Sequence, residues 1–329
     1  GAGSQRSGGA RRHLIIRHNV IRGELIMTTN NEKPVWRSLL YVPVNVDRYV
    51  DKAHERGADG IILDLEDSVT PAEKDIARTL IGEAVEKVSR NGADVLVRIN
   101  RPIEIAVRDI EASVMPGVCA LKLPKVTSAE HVQLIAELVT ECEIKQGMDV
   151  GSTWLLPMVE TADAFFQIDK IAKAHPRNYT VLLGGEDFAL DVGFNPDPEC
   201  YLYPKQQSLI AARAAGITPM GLIGTVADYS DSDAYLEVVR HSVKFGFEGA
   251  SCIHPANVKP LNEGFSPIAS EIDYARKVIE ADAAAAAAGR GSFELDGKMI
   301  DIPIVIRAQR LLARAEKIAA REAHMAAAR

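Results

Sequence analysis

Eight short apolar runs, whose starts fall 23 to 38 residues apart, constrain this chain more than any other feature. They are RSLLYVP (37–43), GIILDLED (60–67), DVLVRIN (94–100), CALKLPK (119–125), TWLLPMVE (153–160), YTVLLGGED (179–187), ITPMGL (217–222) and GASCIHP (249–255). Each is close to continuously apolar, the pattern of a parallel strand covered on both faces. The spacing fits one strand, one helix and two loops, so the chain reads as consecutive βα units.

Helix punctuation fills the intervals. Thr70, Pro71 and Glu73 mark a helix start that runs to about Ser89 and ends near Asn91-Gly92, and TSAE at 127–130 repeats the capping pattern. Gly57, Gly147, Gly216 and Gly246 stand where helix C-caps belong. No GxGxxG follows the first run, which disfavours a dinucleotide-binding sheet. The expected fold is therefore α/β, a (β/α)8 TIM barrel. Beyond His254-Pro255 the pattern changes to a helix from about Ser270, a hairpin around Asp296-Gly297 and a last helix from about Pro303. The expected division is a disordered leader at 1–26, a barrel at 27–265 and a C-terminal lid or oligomerisation extension at 266–329.

Bulk properties narrow the function. A length of 329 residues accommodates one barrel and an appendage, and a formal charge of −7 argues against nucleic acid as partner. No apolar run reaches the ~18–20 residues of a membrane span. Cys119, Cys142, Cys200 and Cys252 form no CxxC pair, so they read as reduced thiols of an intracellular protein. The first 26 residues hold five arginines and one acid, Glu24; leaving them out moves the charge from −7 to −11. We expect an upstream extension before a natural start at Met27, and a cytoplasmic protein. The alternative is an Arg-rich transit segment and the mitochondrial matrix.

In a barrel, reactive groups gather at the C-terminal ends of the strands. The runs place Asp64, Glu66, Asp67, Arg98, Asn100, Lys122, Lys125, Glu160, Glu186, Asp187 and His254 there. Carboxylates without His or Cys suit Mg2+ better than zinc. Glu160 is the expected first ligand, with Asp187 or Glu186 as the second; spacing does not choose between them. Glu160 also suits a plain helix-start charge. Arg98 reads equally as an anion receptor or as an ion-pair partner of Asp64, Glu66 or Asp67. His254 is at least as readily a packed histidine as a base, and Asp301 reads as an N-cap.

RSLLYVP, ILDLEDSVTPAEK, VRIN, LPK, VET, GGEDFALD, CIHP and MIDIP together resemble the citrate lyase β-subunit-like lyases of the HpcH/HpaI aldolase superfamily. The terminal GSFELDGKMIDIP is similar to the malyl-CoA and citramalyl-CoA lyase branch more than to a citrate lyase complex subunit. The resemblance implies a Mg2+-dependent carbon–carbon lyase, assembled as a homotrimer or hexamer, cleaving an acyl-CoA to a small 2-oxo acid and acetyl-CoA. It implies Glu160 and Asp187 as metal ligands, Arg98 as substrate-binding and catalytic, and Glu66 and Asp67 as ordering water. It further implies Asp301 as the catalytic acid donated by a neighbouring subunit, with Arg37, Ile253, His254 and Pro255 along the CoA channel. One departure is Pro43-Val44, where the family usually has Pro-Gly. The rival readings are a class II pyruvate aldolase acting on free 4-hydroxy-2-oxo acids and a non-catalytic partner subunit.

Overall fold

The computed structural model describes residues 33–224, 231–287, 289 and 291–329, so the leader at 1–26 lies outside the described residues. Seven strands form one parallel sheet: β1 (Ser38–Pro43), β2 (Gly60–Asp64), β3 (Asp94–Arg98), β4 (Val118–Leu123), β5 (Trp154–Val159), β6 (Leu182–Leu183) and β7 (Ala250–Cys252). Their order across the sheet is β6-β5-β4-β3-β2-β1-β7, so each neighbour but the last follows in sequence. Helices return the chain between strands, as parallel pairing requires.

The eight-strand expectation is met only in part: among the described residues the sheet is curled and has seven strands. The run at 217–222 forms no strand. Pro219 has no N–H to give a ladder. The segment still touches both flanks, through Thr218 N–H to Tyr179 O and Gly221 N–H to Gly249 O. The expected C-cap glycines Gly57, Gly147, Gly216 and Gly246 all have positive φ. The Ala129–Lys145 helix is capped one residue later than the TSAE pattern implies, by Ser128 rather than Thr127, whereas Thr70 bonds the Glu73 side chain and its helix breaks at Leu80.

Residue parity builds two layers. Leu40, Val42, Ile61, Leu63, Val95, Val97, Leu121 and Leu155 pack against the helices. The alternate positions Leu39, Ile62, Leu96, Ala120, Trp154 and Leu156 pack with Trp36 and Tyr179 inside the curl. Two residues further along the same inward face, apolar gives way to polar: Tyr41, Asp64, Arg98 and Lys122. The interior is thus filled at the strands' N-terminal ends and open at their C-terminal ends.

After β7 a helix (Ala269–Ala287) leads to an antiparallel hairpin, β8 (Phe293–Leu295) and β9 (Lys298–Ile300), turned by Asp296 and Gly297 at positive φ. The last helix (Ile302–Ala327) packs on the Ala269–Ala287 helix through Ala275, Val278, Ile300, Val305 and Ala308. It then crosses the N-terminal ends of the strands. Arg314 donates to Glu248 O and Phe265 O, Arg321 donates to Asp59 O and pairs with Asp94, and Glu322 pairs with Arg37. Among the described residues no helix is long and apolar enough to cross a membrane.

Candidate active site

A cavity of about 500 Å³ opens at the C-terminal ends of the strands, lined by Tyr41, Asp64, Asp67, Arg98, Lys122, Glu160, Glu186, Asp187 and Ile253. Glu160 follows β5 and is buried, and its Oε2 accepts the Lys125 N–H at 2.5 Å. Space for its carboxyl is made by Gly184: a Cβ there would lie 2.4 Å from Glu160 Cγ. Lys125 itself has φ 49°, a left-handed conformation that disfavours a side chain. That geometry turns its N–H to Glu160 while its ammonium reaches Glu66 at 2.8 Å, Asp67 at 3.6 Å and Asp187 at 3.9 Å.

Burial foremost, then the charges of Glu66 and Asp187, push the Glu160 carboxyl up to about 7. Burial also raises Glu66, against the pull of Arg98 and Lys125. A site that crowds anionic oxygens at such cost favours a cation. Among the described residues no group of three or more His, Cys, Asp or Glu side chains makes a ready metal cage. A carboxylate pair, Glu160 on a strand end and Asp187 in the first turn of the Gly185–Val192 helix, does fit a hard cation that keeps water and substrate among its ligands. Oxygen donors alone suit a hard cation such as Mg2+, Mn2+ or Ca2+ better than zinc.

Arg98 ends β3 directly opposite Asp64 in the β2 register. Its Nε and Nη2 each donate to Asp64 at 2.7 Å, and Nη1 lies 2.9 Å from Glu66 and 3.2 Å from Asp67. The ion-pair alternative is therefore realised with all three acids, while the guanidinium still lines the cavity, 4.7 Å from the Tyr41 ring centre. Burial opposes ionisation of Asp64, but the Arg98 hydrogen bonds and charge outweigh it and hold the carboxyl below its usual range. Asn100 supports the same loop from beneath, donating to Leu65 O and Asp109.

Other expected residues lie elsewhere. Arg37 precedes β1, is buried at the N-terminal end of the strands, and is engaged by Asp59, Ser266 and Glu322; it is not part of the cavity. Ile253 lines the cavity, and His254 Nδ1 accepts the Ala256 N–H where Pro255 opens a short helical turn. Val44 points into the helix-side core, so only the neighbouring Pro43 faces the cavity. Asp301 occupies the N-cap position of the last helix, yet its side chain makes no capping hydrogen bond. It is exposed, and among the described residues no ion pair joins it to Arg98.

The structure also brings in residues that the runs did not flag: Tyr41, Tyr201, Lys205 and Ser251. Tyr41 could have been found by parity, two residues past inward Leu39. Ser251 could not, because its place depends on which strand ends up across the interior.

Residues 37–255 match the sequence model of HpcH/HpaI aldolase/citrate lyase. The chain belongs to that family. Family membership makes it a lyase-family enzyme. It is 35% identical to citrate lyase subunit beta of Leuconostoc mesenteroides subsp. cremoris, over 86% of this chain and 94% of the relative. It is 34% identical to a (3S)-malyl-CoA thioesterase of Cereibacter sphaeroides, over 87% of this chain and 96% of the relative. Those two identities do not separate the branches, so the expected leaning away from citrate lyase subunits gains no support from them. Among solved structures, the protein CitE of Mycobacterium tuberculosis, in complex with magnesium, acetoacetate and coenzyme A, superposes with a TM-score of 0.67 at 27% identity. That match covers 87% of this chain and 100% of the other.

Proposed function

We propose that this chain is a Mg2+-dependent lyase cleaving a 3-hydroxyacyl-CoA of the malyl, citramalyl or citryl type. The products are a 2-oxo acid (glyoxylate, pyruvate or oxaloacetate) and acetyl-CoA. The observation that carries the reading is buried Glu160, crowded by Glu66 and Asp187 at the mouth of a cavity and held by a strained backbone N–H. A relative that acts on malyl-CoA and a neighbour solved with magnesium and coenzyme A support the cofactor and the thioester.

Glu160 and Asp187 would hold the metal, which when bound supplies Lewis-acid polarisation of the hydroxyl and the nascent carbonyl. Arg98, fixed by Asp64, sets positive charge where the acetyl enolate oxygen develops; a preorganised donor of this kind lowers a barrier by roughly 3–4 kcal/mol. Glu66 and Asp67 order water at the mouth. The hydroxyl proton leaves to the water ordered there, and Asp301 gives a proton to the enolate carbon and regains one from solvent; in the condensing direction both transfers reverse. The last helix runs across the far end of the strands, so we assign that carboxylate to a neighbouring subunit of a trimer or hexamer. Exposed Met299 and Ile302, at 76% and 68%, flank it as an apolar contact for such a neighbour. We also read the 217–222 segment as the eighth stave that closes the barrel.

The test is incubation of purified protein with Mg2+ and malyl-, citramalyl- and citryl-CoA, following 2-oxo acid and free thiol separately. Release of 2-oxo acid supports the lyase; thiol release alone indicates hydrolysis, as in the thioesterase relatives. Turnover of a free 4-hydroxy-2-oxo acid without CoA would replace the reading by a pyruvate aldolase. Inert protein that co-purifies with a partner would mark a non-catalytic subunit.

A further inference from the structure

Lys122 stands on β4 in register with Arg98 on β3, and it is 2% exposed. The two cations differ in what holds them. Arg98 is enclosed by Asp64, Glu66 and Asp67. Lys122 pairs with no carboxylate among the described residues. Its Nζ donates to Ser251 Oγ at 2.8 Å, reaching across the interior to β7, and lies 4.6 Å from the Tyr41 ring centre. A hydroxyl and a ring face offset only part of the cost of burying an ammonium. An ammonium has three donors, and Ser251 takes one. Lys122 lines the cavity, so the others are available to whatever occupies it.

We propose that Lys122, positioned by Ser251 and Tyr41, receives an anionic oxygen of the substrate at the floor of this cavity. The proposal deepens the lyase reading and rests on it for the identity of the substrate. Two oxygens have the required chemistry: a carboxylate oxygen already charged in the ground state, and the enolate oxygen that gains charge as the carbon–carbon bond breaks.

Tyr41 on β1 faces Lys122, and the charges of Arg98 on β3, Glu160 after β5, Asp64 on β2 and Cys252 on β7 act on it, the last from the helix side of the sheet. Burial first and Arg98 second draw the ammonium down to about 7, with the carboxylates opposing. Above that pH an arriving anion therefore brings a proton with it.

The experiment compares the full-length wild type with Lys122→Met, in Mg2+, on two readouts. The first is calorimetry with oxalate at pH 8 in two buffers of different ionisation enthalpy. The second is deuterium wash-in at the acetyl-CoA methyl. If the ground-state carboxylate is the ligand, the wild type takes up protons with oxalate. The variant then takes up none and binds about tenfold or more weakly. If the enolate is the ligand, oxalate affinity is unchanged and wash-in falls by about 100-fold or more at unchanged acetyl-CoA affinity. Ser251→Ala, which keeps the lysine, shifts the same readout by less and serves if Lys122→Met does not fold. Unchanged oxalate binding together with unchanged wash-in in the variant overturns the proposal. A wild type that neither binds oxalate nor exchanges the methyl overturns it as well. An oxalate effect in a protein that cleaves no acyl-CoA leaves Lys122 in place and removes the lyase reading.

Discussion

Glu160 ties the site to the stability of the metal-free fold. Its carboxyl titrates near 4.5 in an unfolded chain and near 7 in the folded one. The folded state therefore keeps a proton that the unfolded state has lost. The stabilisation is complete below pH 4.5 and is lost as pH rises to about 7, an effect on the order of 3 kcal/mol. Thermal unfolding in chelator should show the Tm of the wild type falling over this window more steeply than that of Glu160→Gln. Saturating Mg2+ above pH 7 should restore the wild type alone. Gly184→Ala tests the same carboxylate by volume, since the added methyl would meet Glu160 itself. We expect metal binding, titrated calorimetrically, to weaken by about 10–100-fold, the usual effect of disturbing a ligand's support. Glu160, Asp187 and Arg98 were legible as charges at the ends of apolar runs. Lys125 was visible as a charge, but its left-handed backbone and its reach to three acids belong to the tertiary structure.

Among the elements, the helix-to-strand join before β5 has its own requirement. Glu143, near the end of the Ala129–Lys145 helix, accepts from Gly151 N–H, Thr153 N–H and the guanidinium of Arg177, and both charged residues are fully buried. Burial opposes ionisation of Glu143, but the Arg177 bonds and the backbone N–H groups win and lower its pKa. That contribution is present above the ordinary carboxyl range and disappears as pH falls through the depressed folded value. Glu143→Ala should cost about 3–5 kcal/mol in urea unfolding, because it strands a buried guanidinium. The same variant should also flatten the acid limb of the stability profile. The strands were legible because a run covered on both faces leaves no polar alternation. The seventh run was not, because its apolar character does not reveal that Gly221 takes a backbone with φ 149°, which an extended strand does not have. Parity within the strands, apolar inward at one end and polar at the other, was present in the sequence but had meaning only once the curl was known.

For the whole molecule, the last helix does two separate jobs. Its first residues carry Asp301, and its later turns hold the N-terminal ends of β1, β2, β3 and β7 through Arg314, Arg321 and Glu322. Arg321→Ala should lower Tm while leaving the pH profile of activity unchanged, measured on the same preparation. If Asp301 serves a neighbour, Asp301→Asn and Arg98→Ala protein, each inactive, should regain measurable turnover when unfolded and refolded together. A mixture that stays inactive would return Asp301 to its own chain. The tie between Arg37 near the start of the first strand and Glu322 on the last helix has a consequence for synthesis. A ribosome delivers the strands in order, but the residues that fasten their ends follow all seven strands in the chain. The sheet can curl during translation. It is fastened only once the last helix has been made, and until then the nascent chain depends on whatever keeps its open end from other partners.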